Sequence, residues 1–295
     1  MIGRFAPSPS GPLHLGNLRT ALLAWWAARG AGSAFLLRVE DLDPSSRPEH
    51  EAGQLADLRR LGLDWDGAVV RQSERRDLYE DALDRLVAAG LTYPCYCTRR
   101  EIRDATRAPH EAPDAYPGTC RDLPAVRRRS REAEGRPPAL RLRSDGVAVA
   151  VEDALHGTIR GVVDDVVLRR NDGLPAYNLV VVVDDADQGV EEVVRADDLL
   201  SSTPRQAHLA RMLGLPTPAY LHVPLVLGPD GARLAKRHGS VTLADATRAG
   251  VAAPVVRARL AASLGLADPG ADPPPLDRAA LPRRPTVWDG AWVVP

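Results

Sequence analysis

The chain has 295 residues, 44% of them apolar and 26% charged, with a formal net charge of −1. That length and composition suffice for a real core in one large or two modest domains and exclude a disordered chain. The charge balance excludes a uniformly basic nucleic-acid binder, so any RNA contact must come from a local patch.

No uninterrupted apolar run of about eighteen residues suggests a membrane span, and the N-terminus lacks the basic-then-apolar order of a secretory signal. Three cysteines, an odd number, argue against a disulfide framework and for a metal site in a cytoplasmic protein. Lys236 is the only lysine among 38 basic residues. A lone lysine in an arginine-rich chain is a candidate for a role that needs a compact, flexible ammonium.

Ile2 to Phe5 reads as a buried strand. Pro7, Pro9 and Pro12 then forbid helix and ladder alike, so a stiff loop follows. A helix opens at Gly16 and Asn17, with Leu18, Ala21, Leu22 and Trp25 as its inward stripe and Gly30 as its stop. Strand, loop and helix start form the first half of a nucleotide-binding βαβ unit, where free N–H groups suit a phosphate. The His14 ring is placed to donate to that phosphate, and Gly16 leaves room for a base or ribose. By itself His-Leu-Gly-Asn reads more readily as a capped helix with a solvated histidine.

Ala34 to Val39 is a second strand that delivers Glu40-Asp41-Leu42-Asp43 to its carboxyl end, where open α/β sheets bind ligands. Helices are expected from Pro48 to Leu61 and from a Ser73 cap to Ala89. Cys95, Cys97 and Cys120 then bring three soft ligands into one segment, which suits tetrahedral zinc. His110 is the generic fourth ligand and Tyr116 the unusual one. Thr98 to Glu101 is a capping box. Arg127, Arg128, Arg129 and Arg131 form a basic stretch that reads as a solvated face or an RNA contact.

Leu140, Leu142, Val147 to Val151 and Ile159 to Leu168 read as a small antiparallel group, and Asn171-Asp172-Gly173 as a turn. Leu179 to Val183 is an apolar run that periodicity alone makes a buried strand ended by Asp184 and Asp185. Val193 to Arg195 reads as the fourth parallel strand. Thr203, Pro204 and Gln206 start a helix, and Leu221 to Leu227 is the last core strand. A turn at Gly228 to Gly231 leads into Ala232-Arg233-Leu234-Ala235-Lys236-Arg237. Helices at Thr242 to Gly250 and Pro254 to Leu264, a proline-rich linker and an arm with Trp288 and Trp292 complete the chain.

Arg4-Phe5-Ala6-Pro7-Ser8-Pro9, followed by Gly-Pro-Leu-His-Leu-Gly-Asn, resembles the His-Ile-Gly-His signature of class I aminoacyl-tRNA synthetases in its glutamyl form, with Asn17 in place of the second histidine. Arg233 to Arg237 is similar to the Lys-Met-Ser-Lys-Ser loop, with Lys236 at the second lysine, Arg233 at the first and Ala235 at the serine. The resemblance runs through the whole chain in order. The fold it implies is α/β, a Rossmann-type doubly wound parallel sheet with an inserted zinc-containing, acceptor-binding subdomain. Residues 1–93 would be the first half of the catalytic domain and 94–170 the knuckle and antiparallel insertion. Residues 171–250 would be the second half with the lysine loop, and 251–295 a short helical, proline-rich arm.

The same resemblance implies site residues. Arg4, Phe5, Ala6, Pro7, Ser8, Glu40, Tyr177 and Arg195 would bind the amino acid, with Glu40 on its ammonium group and each arginine able to fork a carboxylate. His14, Gly16, Asn17, Arg233, Lys236 and Arg237 would hold ATP and its Mg2+, with His14 and Lys236 catalytic; no residue stands out as a magnesium ligand. In this family's segment Leu179 to Val183 is helical.

Only 58 residues follow Arg237 (295 − 237), many of them in a proline-rich stretch, so no anticodon-reading domain is expected. A shortened glutamyl synthetase with a Cys-x-Cys…Tyr-x-x-x-Cys knuckle is similar to the glutamyl-queuosine tRNA(Asp) synthetases. That likeness selects Cys95, Cys97, Tyr116 and Cys120 as the zinc ligands. It implies L-glutamate, ATP and queuosine-bearing tRNA(Asp) as partners of a cytoplasmic monomer with no membrane contact. The alternatives are a minimal glutamyl-tRNA synthetase that charges a 3′ end and a non-catalytic relic of a synthetase.

Overall fold

The computed structural model describes residues 1–98, 100–102, 116–234, 238, 242–268 and 270–288. The first strand is β1 (Gly3–Phe5), and helix α1 (Leu15–Arg29) and strand β2 (Phe35–Val39) complete the opening unit. Helix α1 is buried almost all round, Arg19 included, and not only along its expected stripe. It lies between the sheet and a later helix, which cover most of its circumference. Gly30 ends α1 in right-handed geometry, φ −65°. Its small size is needed for another reason: a Cβ there would stand 2.4 Å from the Pro274 carbonyl oxygen.

Helix α2 (Pro48–Arg60) and the short β3 (Val70–Arg71) follow. Helix α3 (Arg76–Ala88) begins three residues after the expected Ser73 cap. Ser73 instead donates its hydroxyl and amide to the Asp41 carboxylate, and a long-range acceptor has outcompeted the local cap.

The expected antiparallel group divides between two sheets. β4 (Thr92–Cys95), β5 (Ala139–Leu142) and β8 (Val167–Arg169) make a separate three-stranded antiparallel sheet. β6 (Ala148–Asp153) and β7 (Gly157–Val162) form a hairpin on the edge of the main sheet, with Tyr220 beside Asp153. In the chain between β4 and β5, α4 (Ala125–Ala133) carries the basic stretch and buries none of its residues.

Leu179 to Val183 lies in a helix, α5 (Tyr177–Asp187), and not in a strand. Leu179 to Asp185 are all buried, which erases the amphipathic period that identifies a helix. Asp184 and Asp185 do not end the element; both are inside it, paired with buried arginines. β9 (Glu192–Ala196), α6 (Thr203–Leu213) and β10 (Ala219–Val223) extend the core. Pro224 interrupts the expected strand from Leu221 to Leu227. β11 (Val226–Leu227) leaves the main sheet and pairs in parallel with β12 (Thr286–Val287), beyond α7 (Leu243–Arg248) and α8 (Ala253–Ala262).

The main sheet runs β3-β2-β1-β9-β10-β6-β7 and is parallel throughout except for the β6–β7 hairpin. The chain leaves β1 toward β2 on one side and β9 toward β10 on the other. The crevice beyond the carboxyl ends of β1 and β9 is therefore the switch point where such sheets take ligands. No helix among the described residues is long and apolar enough to cross a membrane.

Candidate active site

A cavity of about 470 Å³ opens at that switch point. Arg4, Phe5, Ala6, Pro7, Ser8, His14, Asn17, Glu40, Tyr177, Arg195 and Arg233 all line it. Gly16 lines an adjoining recess with His14, Asn17 and Arg233. Lys236, Arg237, His110 and Trp292 lie outside the described residues.

The proline loop holds its shape by lending carbonyls to its neighbours, since prolines cannot donate. Pro7 O accepts from Glu40 N and Pro9 O from Arg47 N, both at 2.9 Å. Gln54 of α2, which sequence reasoning missed, donates to Ser8 O at 3.0 Å and Gly11 O at 2.7 Å. Only a fold that brings α2 over the loop reveals that glutamine.

His14 caps α1. Its Nδ1 accepts from Asn17 N at 3.3 Å, and the Asn17 side-chain oxygen accepts from His14 N at 3.4 Å. Asn17, in place of the second signature histidine, thus completes a capping box. A Cβ at Gly16 would stand 3.1 Å from His14 Nδ1, so the glycine lets the ring fold back onto the helix end. Burial first, and then Arg233, lower the His14 pKa to about 4. The ring is therefore neutral at physiological pH, with Nδ1 occupied as an acceptor and Nε2–H left as a donor beside the cavity.

The two arginines expected to bind carboxylates differ in kind. Arg4 donates Nε to Asp185 at 3.2 Å and Nη1 to the Val194 carbonyl at 3.3 Å, so its charge already has a partner. Arg38, which no motif singled out, shares Asp185 at 2.8 Å and lies 3.6 Å from Glu40. Burial alone would raise the Asp185 carboxyl, but Arg4 and Arg38 hold it below the usual range. Glu40 shifts the other way: burial raises it, against the pull of Arg38 and Arg4.

Arg195 is only 5% exposed and has no ion pair among the described residues. Its partners are neutral: His222 Nε2 at 2.9 Å, Gln206 Oε1 at 2.7 Å, Thr203 Oγ1 at 3.0 Å and the Leu199 carbonyl at 3.5 Å. Helix α6 starts at Thr203 as expected, but Ser202 takes the cap position, and the polar groups of Thr203 and Gln206 serve Arg195. Burial lowers the guanidinium's pKa. A guanidinium has five N–H groups and four are engaged here, so it offers a ligand its positive charge and one N–H, not a free two-pronged fork. Keeping a buried charge uncompensated costs several kcal/mol, roughly, unless an anion arrives.

A second cluster sits on the three-stranded sheet. The Cys95, Cys97 and Cys120 sulfurs all lie within 4.8 Å of one another. Cys97 Sγ is 3.5 Å from Cys120 Sγ, and the Tyr116 hydroxyl is 3.3 Å from Cys95 Sγ and 3.8 Å from Cys97 Sγ. A tetrahedral zinc with ordinary bond lengths needs S···S edges of about 3.8 Å and S···O edges of about 3.5 Å. The donors fit that figure. The Arg141 guanidinium lies 3.6 Å over the Tyr116 ring, where its charge favours an electron-rich phenol oxygen. Tyr96, through its hydroxyl on Glu132, and Glu101, through Arg131, tie the exposed α4 to this cluster.

Residues 1–260 match the family of tRNA synthetases class I (E and Q), catalytic domain. The chain is 64% identical to the glutamyl-Q tRNA(Asp) synthetase of Nocardia farcinica over 97% of its own length and 92% of that protein. It is 52% identical to that of Symbiobacterium thermophilum over 97% and 95%. The crystal structure of a glutamate tRNA ligase from Elizabethkingia meningosepticum, in complex with its amino acid, matches with a TM-score of 0.70 at 31% identity. That match covers 81% of this chain and 52% of the ligase, so the chain spans about half the ligase's length.

Proposed function

We propose, for a chain that belongs to the glutamyl-Q tRNA(Asp) synthetases within the class I (E and Q) family and is a ligase, an ATP-dependent transfer of L-glutamate to the queuosine base of tRNA(Asp). The α-carboxylate of glutamate attacks the α-phosphate of ATP and releases pyrophosphate. The glutamyl group then passes to a hydroxyl of the nucleoside. The protein's part is positioning and charge stabilisation.

The observation that carries this reading is Arg195, a buried cation with only neutral partners beside the cavity. The α-carboxylate loses its charge when the adenylate forms, whereas the side-chain carboxylate keeps it. A permanent buried charge matches the second. Burial raises the Glu40 carboxyl, and a substrate ammonium beside it would favour its ionised form. Arg4, held by Asp185, would shape the pocket beside Phe5, Ala6, Pro7 and Ser8, and Tyr177 would donate its hydroxyl. Neutral His14 would donate Nε2–H to a phosphate, and Lys236, with Arg233 and Arg237, would neutralise the charge that grows there. Gly16 and Asn17 would seat ATP, with Mg2+ bound through its phosphates.

The near-complete mutual coverage with the glutamyl-Q relatives supports a nucleoside acceptor over a tRNA 3′ end. The basic face of α4 would contact RNA phosphates. The chain would work as a cytoplasmic monomer, divided at residues 93, 170 and 250 as read from its sequence. The test is direct: labelled glutamate, ATP and enzyme are incubated with tRNA(Asp), tRNA(Asp) lacking queuosine, and tRNA(Glu). Label is expected on the first alone. Label on either of the others would turn the assignment to a minimal glutamyl-tRNA synthetase.

Zinc held by Cys95, Cys97, Tyr116 and Cys120 would be structural, tying β4 to the chain around Tyr116. Protein purified without chelator should contain about one zinc per chain, and Tyr116→Phe should lose it more readily. Fully active protein without zinc would sink the metal assignment. Undiminished retention in Tyr116→Phe would shift the fourth ligand to His110.

A further inference from the structure

Arg195 is oriented by two residues that play no direct part in that reaction. Its Nε–H donates to Nε2 of His222, a fully buried residue of β10. Nδ1 of the same ring lies 2.7 Å from Asp153 Oδ2, at the end of β6. Asp153 also accepts from the amides of His222, Leu155 and His156. Burial would raise this carboxyl, but those donors bring it below the usual range. An ionised carboxylate only accepts, so Nδ1 must carry the ring proton and Nε2 must offer its lone pair to Arg195. The opposite tautomer would set N–H against N–H and turn the guanidinium away. The Tyr220 ring stacks on His222 at 5.9 Å and lies 5.4 Å from the guanidinium carbon, so the ring and the cation rest on one surface.

We propose that Asp153 and His222 are positioning residues that fix the imidazole tautomer facing Arg195 and so aim its one remaining N–H at the substrate's side-chain carboxylate, an assignment that rests on Arg195 being the carboxylate's partner. They thereby help to set the preference for an acid over its amide. A charged donor held at hydrogen-bond distance from an oxygen favours a carboxylate. The same donor tilted away discriminates less, because its charge acts from farther off. The β6–β7 hairpin gains a role by this route: it brings Asp153 under the end of β10.

ATP–pyrophosphate exchange with glutamate and with glutamine tests the dyad in the full chain. Asp153→Asn keeps the size but permits the wrong tautomer. It should raise KM for glutamate about tenfold or more, leave KM for ATP within about twofold, and cut the glutamate-to-glutamine ratio of kcat/KM about tenfold. His222→Gln, whose amide oxygen can still accept from Arg195, should retain more of that ratio than His222→Leu. Equal rises in both KM values, or an unchanged ratio in folded Asp153→Asn, would reduce the dyad to a structural prop. Arg195→Leu separates the two assignments. If it leaves glutamate KM unchanged, Arg195 is not the carboxylate's partner and the dyad falls with it. If it raises KM while the dyad variants do not, the dyad alone falls.

Discussion

Lys236→Ala is expected to slow glutamyl-adenylate formation by on the order of a hundredfold or more and to leave the melting temperature within a few degrees. Negative charge grows on the phosphates as pyrophosphate departs, and a cation realised only at that point lowers the barrier without tightening the ground state. Arg233, which precedes Lys236 in this loop and lines the cavity, already gives its charge to Asp198 at 2.6 Å. The chain's single lysine, with Arg237 beside it in sequence, then carries the loop's remaining positive charge. A side chain in a loop flanked by Gly and Pro contributes little core, which is why stability should hardly move. Single-turnover measurement of adenylate formation, beside a thermal melt, reads both. Unchanged activation would mean that the lysine has no part in the step, and a large fall in melting temperature would assign it to the fold.

Asp185→Asn is expected to cost about 3–5 kcal/mol of stability. Asp185 receives both Arg4 and Arg38, and all three side chains are buried. Replacing the carboxylate with an amide of the same shape keeps the packing and leaves two guanidiniums short of their counter-ion, with Arg38 leaning on Asp184 at 3.6 Å. The pH dependence has a definite sign. The folded-state pKa of Asp185 lies below its unfolded value. Its contribution is therefore complete above the unfolded carboxylate range and fades as pH falls through the folded value. The native chain should lose stability in acid more steeply than the variant does. Urea unfolding at neutral and acid pH makes the comparison, and a loss below about 1 kcal/mol at neutral pH would show that Asp184 and Glu40 can balance the cluster.

Much of the site was legible residue by residue because its chemistry is local. The prolines from Pro7 to Pro12 can only be loop, and His14 before a Gly-Asn helix start can only lie at a helix N-terminus. Asn17 stands where the signature has its second histidine, yet it closes the capping box on His14. Three thiols between Cys95 and Cys120 needed only a hairpin-scale approach to cluster, and they do. Glu40 lies at a strand end in both readings.

What stayed hidden depends on contacts far apart in sequence. Leu179 to Asp185 has no apolar period, because a helix buried on every side has no polar face to create one. Whether Leu140 and Val149 belong to one sheet or two depends on which edge is free to pair, and alternation is the same in either sheet. The unequal state of Arg4 and Arg195 could not be read from two identical residue types. The sequence by itself determined the parallel α/β order, the loop that leads into a capped helix start and the set of residues available for the chemistry, since those follow from backbone restrictions and short spacings. The tertiary structure alone decided that Asp185 neutralises Arg4 while Arg195 keeps its charge among His222, Gln206 and Thr203. Charge compensation is set by distances of a few ångströms between side chains of different elements, 181 residues apart for Arg4 and Asp185, which local residue patterns do not encode.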